Sequence, residues 1–219
     1  RCERDALVEQ LGTASRAVSS RGGALPVLTG IHLSARDDVL TMTGSDLEIT
    51  VKASVSVAVI EPGEAVLPSR IAVDIVRSLD SGAIDVEVSG DEAKISGGRS
   101  QFSVRTLPVD DFPALADPTG DEVTVATADL AAGLKQVVRA ASGDDARPIL
   151  TGVLMSAEDG GLRLVATDSY RLAVRDLPDA TVLSDGQKVL VPSRALDELS
   201  RALGDSEEVT VRLGEKEVT

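Results

Sequence analysis

Apolar residues at Leu7, Leu11, Ala14 and Val18 recur at three- and four-residue intervals, and so do Leu130, Leu134, Val137 and Ala141. That spacing predicts a helix with one core-facing stripe near the start of each half. A second helix is predicted after each Pro-Ser pair, burying Ile71, Ile75 and Leu79 in one case and Leu196, Leu199 and Leu203 in the other, with Ser69 and Ser193 as N-caps. Elsewhere the period shortens to two. The runs VLTMTG, LEITVKASVSVAV, IDVEVSG and SQFSVRTL read as strands. The first half therefore runs helix plus about three strands, twice over. Two helices are too few to cover both faces of such sheets, so they are expected to share one face and leave the other to solvent or a neighbour.

The chain repeats itself. LPVLTGIHLSARDDVLTMTGSDLEITVK (25–52) aligns without a gap on RPILTGVLMSAEDGGLRLVATDSYRLAV (147–174), placing Asp46 against Asp168. LVEQLGTASRAVS (7–19) aligns on LAAGLKQVVRAAS (130–142), and VLPSRIAVDIVRSL (66–79) on LVPSRALDELSRAL (190–203). Three blocks in one order at nearly one offset imply two tandem copies of a domain, taken as 1–116 and 117–219, with the seam in PVDDFPALADPTGDE (108–122). Copy one continues through GGRSQFSVRTLPVDDFP, beyond the point where copy two stops at VRLGEKEVT. The second domain is thus expected to be truncated and the chain to be a fragment.

Composition narrows the chemistry. The 219 residues are 42% hydrophobic and 26% charged, which suits a folded chain with a sizeable core, and with Phe102, Phe112 and Tyr170 as the only aromatics that core must be aliphatic. No apolar run is long enough to span a bilayer. Cys2 and His32 are the sole cysteine and histidine, which excludes an internal disulfide and the common zinc sites. No phosphate loop, dinucleotide fingerprint or nucleophile elbow is present, so no cofactor or metal is expected. His32, between Ile31 and Leu33, reads as structural. The rival enzymatic reading is an aspartic-type peptidase using Asp80-Ser81-Gly82. It requires a matched second carboxylate loop, whereas the repeat makes these residues a helix-ending turn.

A formal charge of −14 argues against a nucleic-acid partner only if the charges are evenly spread. They are not. Arg16 corresponds to Arg139, Arg70 to Arg194 and Arg77 to Arg201, all off the apolar stripes, as is Lys135. A basic surface recurring in both copies, without aromatics to stack bases, suits sequence-independent contact with the backbone of duplex DNA.

LPVLTGIHL paired with RPILTGVLM, SDLEI paired with TDSYRLAV, FSVRTLPVDDFP and the two PSR helix starts together resemble the β sliding clamps of bacterial DNA polymerase III. The resemblance runs along essentially the whole chain. It implies an α+β fold of tandem DNA-clamp domains, each with two helices on one face of antiparallel sheets, with a third clamp domain absent from this chain. It implies no enzymatic activity but a processivity factor, a head-to-tail homodimer ringing double-stranded DNA, with an acidic rim and a basic lining, in the cytoplasm at the nucleoid. Partners implied are the polymerase III catalytic subunit, the clamp loader and repair polymerases, each held through a short linear motif. Carried over onto this sequence, the motif pocket takes Arg147, Leu150, Thr167, Ser169, Tyr170, Arg171 and Leu172. Family members often have Gly and His where Ser169 and Tyr170 stand. Arg21, in SSRGGALP, matches a basic loop facing the duplex. Asp168 is expected to be a turn residue shared with Asp46, whereas Tyr170, Arg171 and Leu172 are what the second copy adds.

Overall fold

A computed structural model describes residues 1–19, 25–115, 121–158, 161–177, 188–204, 206–214 and 218–219. Arg21 lies outside them. The chain divides into two compact units, Arg1–Ala114 and Leu115–Thr219.

Unit 1 opens with β1 (Cys2–Glu3) and α1 (Arg4–Ala14), then β2 (Gly30–Arg36), β3 (Val39–Ser45) and β4 (Thr50–Ser56). The scheme repeats as β5 (Gly63–Pro68), α2 (Ser69–Ser78), β6 (Ala83–Ser89), β7 (Glu92–Gly97) and β8 (Ser100–Arg105). Its two antiparallel sheets have the orders β1-β6-β7-β8 and β4-β3-β2-β5. Each half thus lends the strand before its helix to the sheet of the other half. The sequence pattern suggests three strands per half because this fourth strand runs straight into a helix, and its partner lies far away in the chain.

Unit 2 follows the same plan: β9 (Asp121–Ala126), α3 (Thr127–Val137), β10 (Gly152–Glu158), β11 (Gly161–Thr167), β12 (Leu172–Leu177), β13 (Lys188–Pro192), α4 (Ser193–Ala202) and β14 (Glu208–Leu213). Its sheets are β12-β11-β10-β13 and β14-β9. Within each unit the two helices pack on one another and against the strands. The cores are aliphatic, as composition requires: Leu7, Leu11, Ile31, Met42 and Ile84 in unit 1, and Leu130, Leu134, Met155 and Leu164 in unit 2. Cys2 is buried, and burial pushes its thiol upward, away from nucleophilic chemistry.

Two local expectations change. Ser69 and Ser193 are the first helical residues rather than caps; the cap positions belong to Pro68 and Pro192, with no side-chain capping bond. Proline's fixed φ already leads the chain into the helix. Ile71 is half exposed, and the inward stripe of α2 is Ala72, Val73 and Val76. In unit 1 the end of α1 lies directly on β3. A Cβ on Gly44 would sit 2.1 Å from the carbonyl oxygen of Ala14.

Candidate functional site

The turn between β11 and β12 is built by one carboxylate. Asp168 Oδ1 accepts the backbone N–H groups of Tyr170 and Arg171, both at 2.9 Å, and Oδ2 accepts Arg171 Nε at 3.0 Å. The backbone donors of Tyr170 and Arg171 hold the Asp168 carboxyl below the usual aspartate range. Thr167 Oγ1 donates to the Arg171 carbonyl at 2.7 Å and accepts the Ser169 N–H at 3.1 Å. Unit 1 contains the same turn: Asp46 Oδ1 accepts the N–H groups of Glu48 and Ile49, and Leu47 has φ +76° where Ser169 has φ +80°. Asp168 therefore serves the fold, as the repeat suggests. Glycine at the Ser169 position would relieve the left-handed backbone that serine carries here.

A second loop meets this turn. Arg147 Nε donates to Asp144 Oδ2 at 2.8 Å, and its guanidinium also donates to Ser169 Oγ at 3.3 Å. Arg147 draws Asp144 below its ordinary range, helped by the Ala146 N–H. Pro148–Thr151 forms a 3-10 turn leading into β10, with the Leu150 N–H on the Arg147 carbonyl at 2.9 Å and Leu150 half-buried.

The register puts Leu172 opposite Thr167, and Gly152 starts the neighbouring strand β10, so all three lie at one end of the sheet. Arg147, Leu150, Thr167, Ser169, Tyr170, Arg171 and Leu172 thus converge on one sheet end. Tyr170 is 94% exposed and Leu172 66%. Arg171 is exposed, its Nε on Asp168.

Composition and motif reading miss the rest of this surface. Val174, Val165, Leu154 and Leu190 are Cα partners across β12, β11, β10 and β13, forming an apolar row on the side away from the helices. Val174 and Leu190 are exposed. The corresponding row in unit 1 is Lys52, Thr43, His32 and Val66. Aligning the two copies position by position would reveal it, because three of the four residues change from polar to apolar.

Arg16 and Arg139 lie in the 3-10 turns that end α1 and α3 (Ser15–Ala17 and Val138–Ala140), Lys135 on α3, Arg70 and Arg77 on α2, and Arg194 and Arg201 on α4, and all seven are exposed. Arg201 is held by its own helix, 2.6 Å from both Asp197 and Glu198, which cancels much of its field. Arg4 carries no signal in the sequence pattern. Its guanidinium donates to the carbonyls of Val76 and Arg77, completing the C-terminus of α2.

Asp80 sits exposed between α2 and β6, where Gly82 has φ +122°, and His32 stacks on Phe112 with centroids 5.1 Å apart. Both placements are structural. Among the described residues no cluster of His, Cys, Asp and Glu could hold a metal ion, and no helix is long and apolar enough to cross a membrane.

Paired βαβββ halves that exchange their leading strands in unit 1, and a βαβββ half exchanging strands with a βαβ half among the described residues of unit 2, define a chain of DNA-clamp domains. The DNA polymerase III beta subunit N-terminal domain matches residues 1–116 and the central domain of the same subunit matches 124–219. The chain belongs to the DNA polymerase III beta subunit family, the beta sliding clamps. It is 33% identical over 219 residues to the beta sliding clamp of Streptomyces coelicolor, covering 97% of this chain and 57% of that protein. To the Bacillus subtilis beta sliding clamp it is 34% identical over 221 residues, with coverages of 94% and 57%. The DNA polymerase III subunit beta of Pseudomonas aeruginosa superposes with a TM-score of 0.93 at 34% identity, covering 99% of this chain and 60% of that one. The chain therefore spans a little over half the length of these relatives. The family does not support the peptidase reading of Asp80.

Proposed function

We propose that this chain is the first two domains of a sliding clamp that encircles duplex DNA and tethers the replicative polymerase and repair proteins to it. The clamp does no chemistry of its own. Arg16, Arg21, Arg70, Arg77, Lys135, Arg139, Arg194 and Arg201 are the DNA-facing residues in this reading. Contacts to phosphate alone carry no sequence information, so the clamp moves along any duplex. The acidic balance of −14 keeps DNA off the remaining surface. Partners include the polymerase III catalytic subunit, the clamp loader and repair polymerases, and a second copy joins head to tail in the full-length protein, in the cytoplasm.

The observation that carries the reading is the row Val174, Val165 and Leu154 beside the Thr167–Leu172 turn, apolar in unit 2 where unit 1 has Lys52, Thr43 and His32. A short linear motif would bury its apolar side chains against Leu150 and Leu172, while Arg147 and Arg171 orient its polar atoms. The test is primer extension by a cognate polymerase with the full-length clamp and its loader. Wild type lengthens the products, and Arg171→Ala shortens them toward the clamp-free length at matched DNA loading. Equal product lengths for both proteins would contradict the pocket.

A further inference from the structure

Unit 2 builds one device twice. In Asp144-Asp145-Ala146-Arg147, Asp144 Oδ1 accepts the Ala146 N–H at 3.1 Å and Oδ2 accepts Arg147 Nε at 2.8 Å. In Asp168-Ser169-Tyr170-Arg171, Asp168 Oδ1 accepts the Tyr170 N–H at 2.9 Å and Oδ2 accepts Arg171 Nε at 3.0 Å. Each carboxylate fixes its own turn and holds, by Nε, the arginine three residues on, which leaves the terminal N–H groups of the guanidinium for other acceptors. The two devices are joined at one atom, where Arg147 donates to Ser169 Oγ at 3.3 Å.

The fold does not need this join. Unit 1 keeps the turn itself, with Ser45 Oγ accepting the Leu47 N–H as Thr167 Oγ1 accepts that of Ser169, and with Leu47 at φ +76° against +80° for Ser169. The repeat, however, puts Leu25, Leu47 and Ile49 at the positions of Arg147, Ser169 and Arg171, so all three polar side chains are apolar in unit 1. Serine is also a costly choice for the backbone it carries, because a left-handed φ favours glycine. Among the described residues, the hydrogen bond its hydroxyl makes is the one to Arg147.

We propose that Ser169 is a positioning residue of the partner-motif pocket: its hydroxyl clasps Arg147 to the Thr167–Leu172 turn and so presets the guanidinium that meets the motif. The proposal rests on the pocket reading above and adds to it the residue that fixes the mouth. An arginine that is free before binding loses rotamer freedom when a ligand orders it. One already held by Asp144 on one side and Ser169 on another has less to lose, so the clasp raises affinity without itself touching the motif.

The test is calorimetric titration of the full-length clamp with a synthetic peptide of the polymerase III catalytic subunit's tail, beside urea unfolding of the same proteins. Ser169→Gly is expected to weaken binding about two- to tenfold, the effect of unfastening one rotamer-rich side chain. Its unfolding midpoint does not fall, because relief of the left-handed backbone offsets the freedom that glycine adds to the unfolded chain. Ser169→Asn, which tolerates the same backbone and offers Arg147 a carbonyl oxygen, is expected to bind as wild type does. In an Arg147→Ala background Ser169→Gly adds no further loss, since the serine acts through that arginine. Affinity and midpoint falling together, Ser169→Asn binding as weakly as Ser169→Gly, or losses that add in the double variant would each overturn the proposal. So would unchanged affinity in Ser169→Gly beside a weakened Leu172→Ala, an outcome that leaves the pocket standing; if neither variant weakens binding, the pocket reading fails as well.

Discussion

Truncating Leu172 to alanine removes three carbons from a side chain that is two-thirds exposed in the free protein, at 66%. If a partner motif closes over it, that exposed fraction leaves water on binding. Burying a whole leucine stabilises by about 1.5–3 kcal/mol, so two-thirds of it is worth about 1–2 kcal/mol, or roughly a five- to thirtyfold change in Kd. Folding stability, by contrast, changes by less than about 1 kcal/mol, since the residue is on an edge strand and mostly in water already. The assay is calorimetric titration with a polymerase tail peptide, alongside urea unfolding of the same preparations. Val88→Ala, exposed on unit 1, serves as the control and should leave Kd untouched. Unchanged affinity in Leu172→Ala with wild-type stability would refute the assignment of this surface, and equal weakening by the Val88 control would show that the effect is not local.

Gly44→Ala forces a Cβ to within 2.1 Å of a backbone oxygen at the end of α1. Overpacking of this kind costs about 1–3 kcal/mol, a fall of roughly 4–20 °C in the unfolding midpoint of a unit this size; Gly63→Ala, with open space around it, should be neutral, and equal midpoints for the two would contradict the packing described. The Asp168 carboxyl, drawn down by the Tyr170 and Arg171 N–H groups, titrates below the ordinary aspartate value of 3.8. A depressed carboxyl contributes to stability above its unfolded pKa and loses that contribution as pH falls through the folded one. The Tyr170 and Arg171 amide resonances should therefore hold steady from neutrality to about pH 4 and shift only below it, and an Asp168 midpoint above 3.8 would show that the turn is held some other way.

The repeat is legible because it needs only alignment of the chain with itself. With it come the two helices per unit, the basic positions on them and the role of Asp168, whose bonds are all to residues within three positions. The features that local pattern misses depend on partners distant in sequence. The exchange of β1 and β5 between half-domains is invisible to local periodicity, and so is Arg4 reaching the carbonyls of α2 some 72 and 73 residues away. Periodicity misassigns Ile71 because a ten-residue helix offers two adjacent apolar stripes, and packing chooses Ala72, Val73 and Val76. The apolar row from Val174 to Leu190 spans four strands, and each strand contributes one residue to it. Within any single strand those residues look like ordinary alternation; only the register joins them.

Topological attachment to DNA is separated from affinity by retention. The full-length clamp, loaded onto nicked circular duplex by its loader and then passed over a sizing column at elevated salt, is predicted to stay with the circle and to be lost when a single cut linearises it. Loss from intact circles under the same salt, or equal retention on circular and linear DNA, would contradict a sliding clamp.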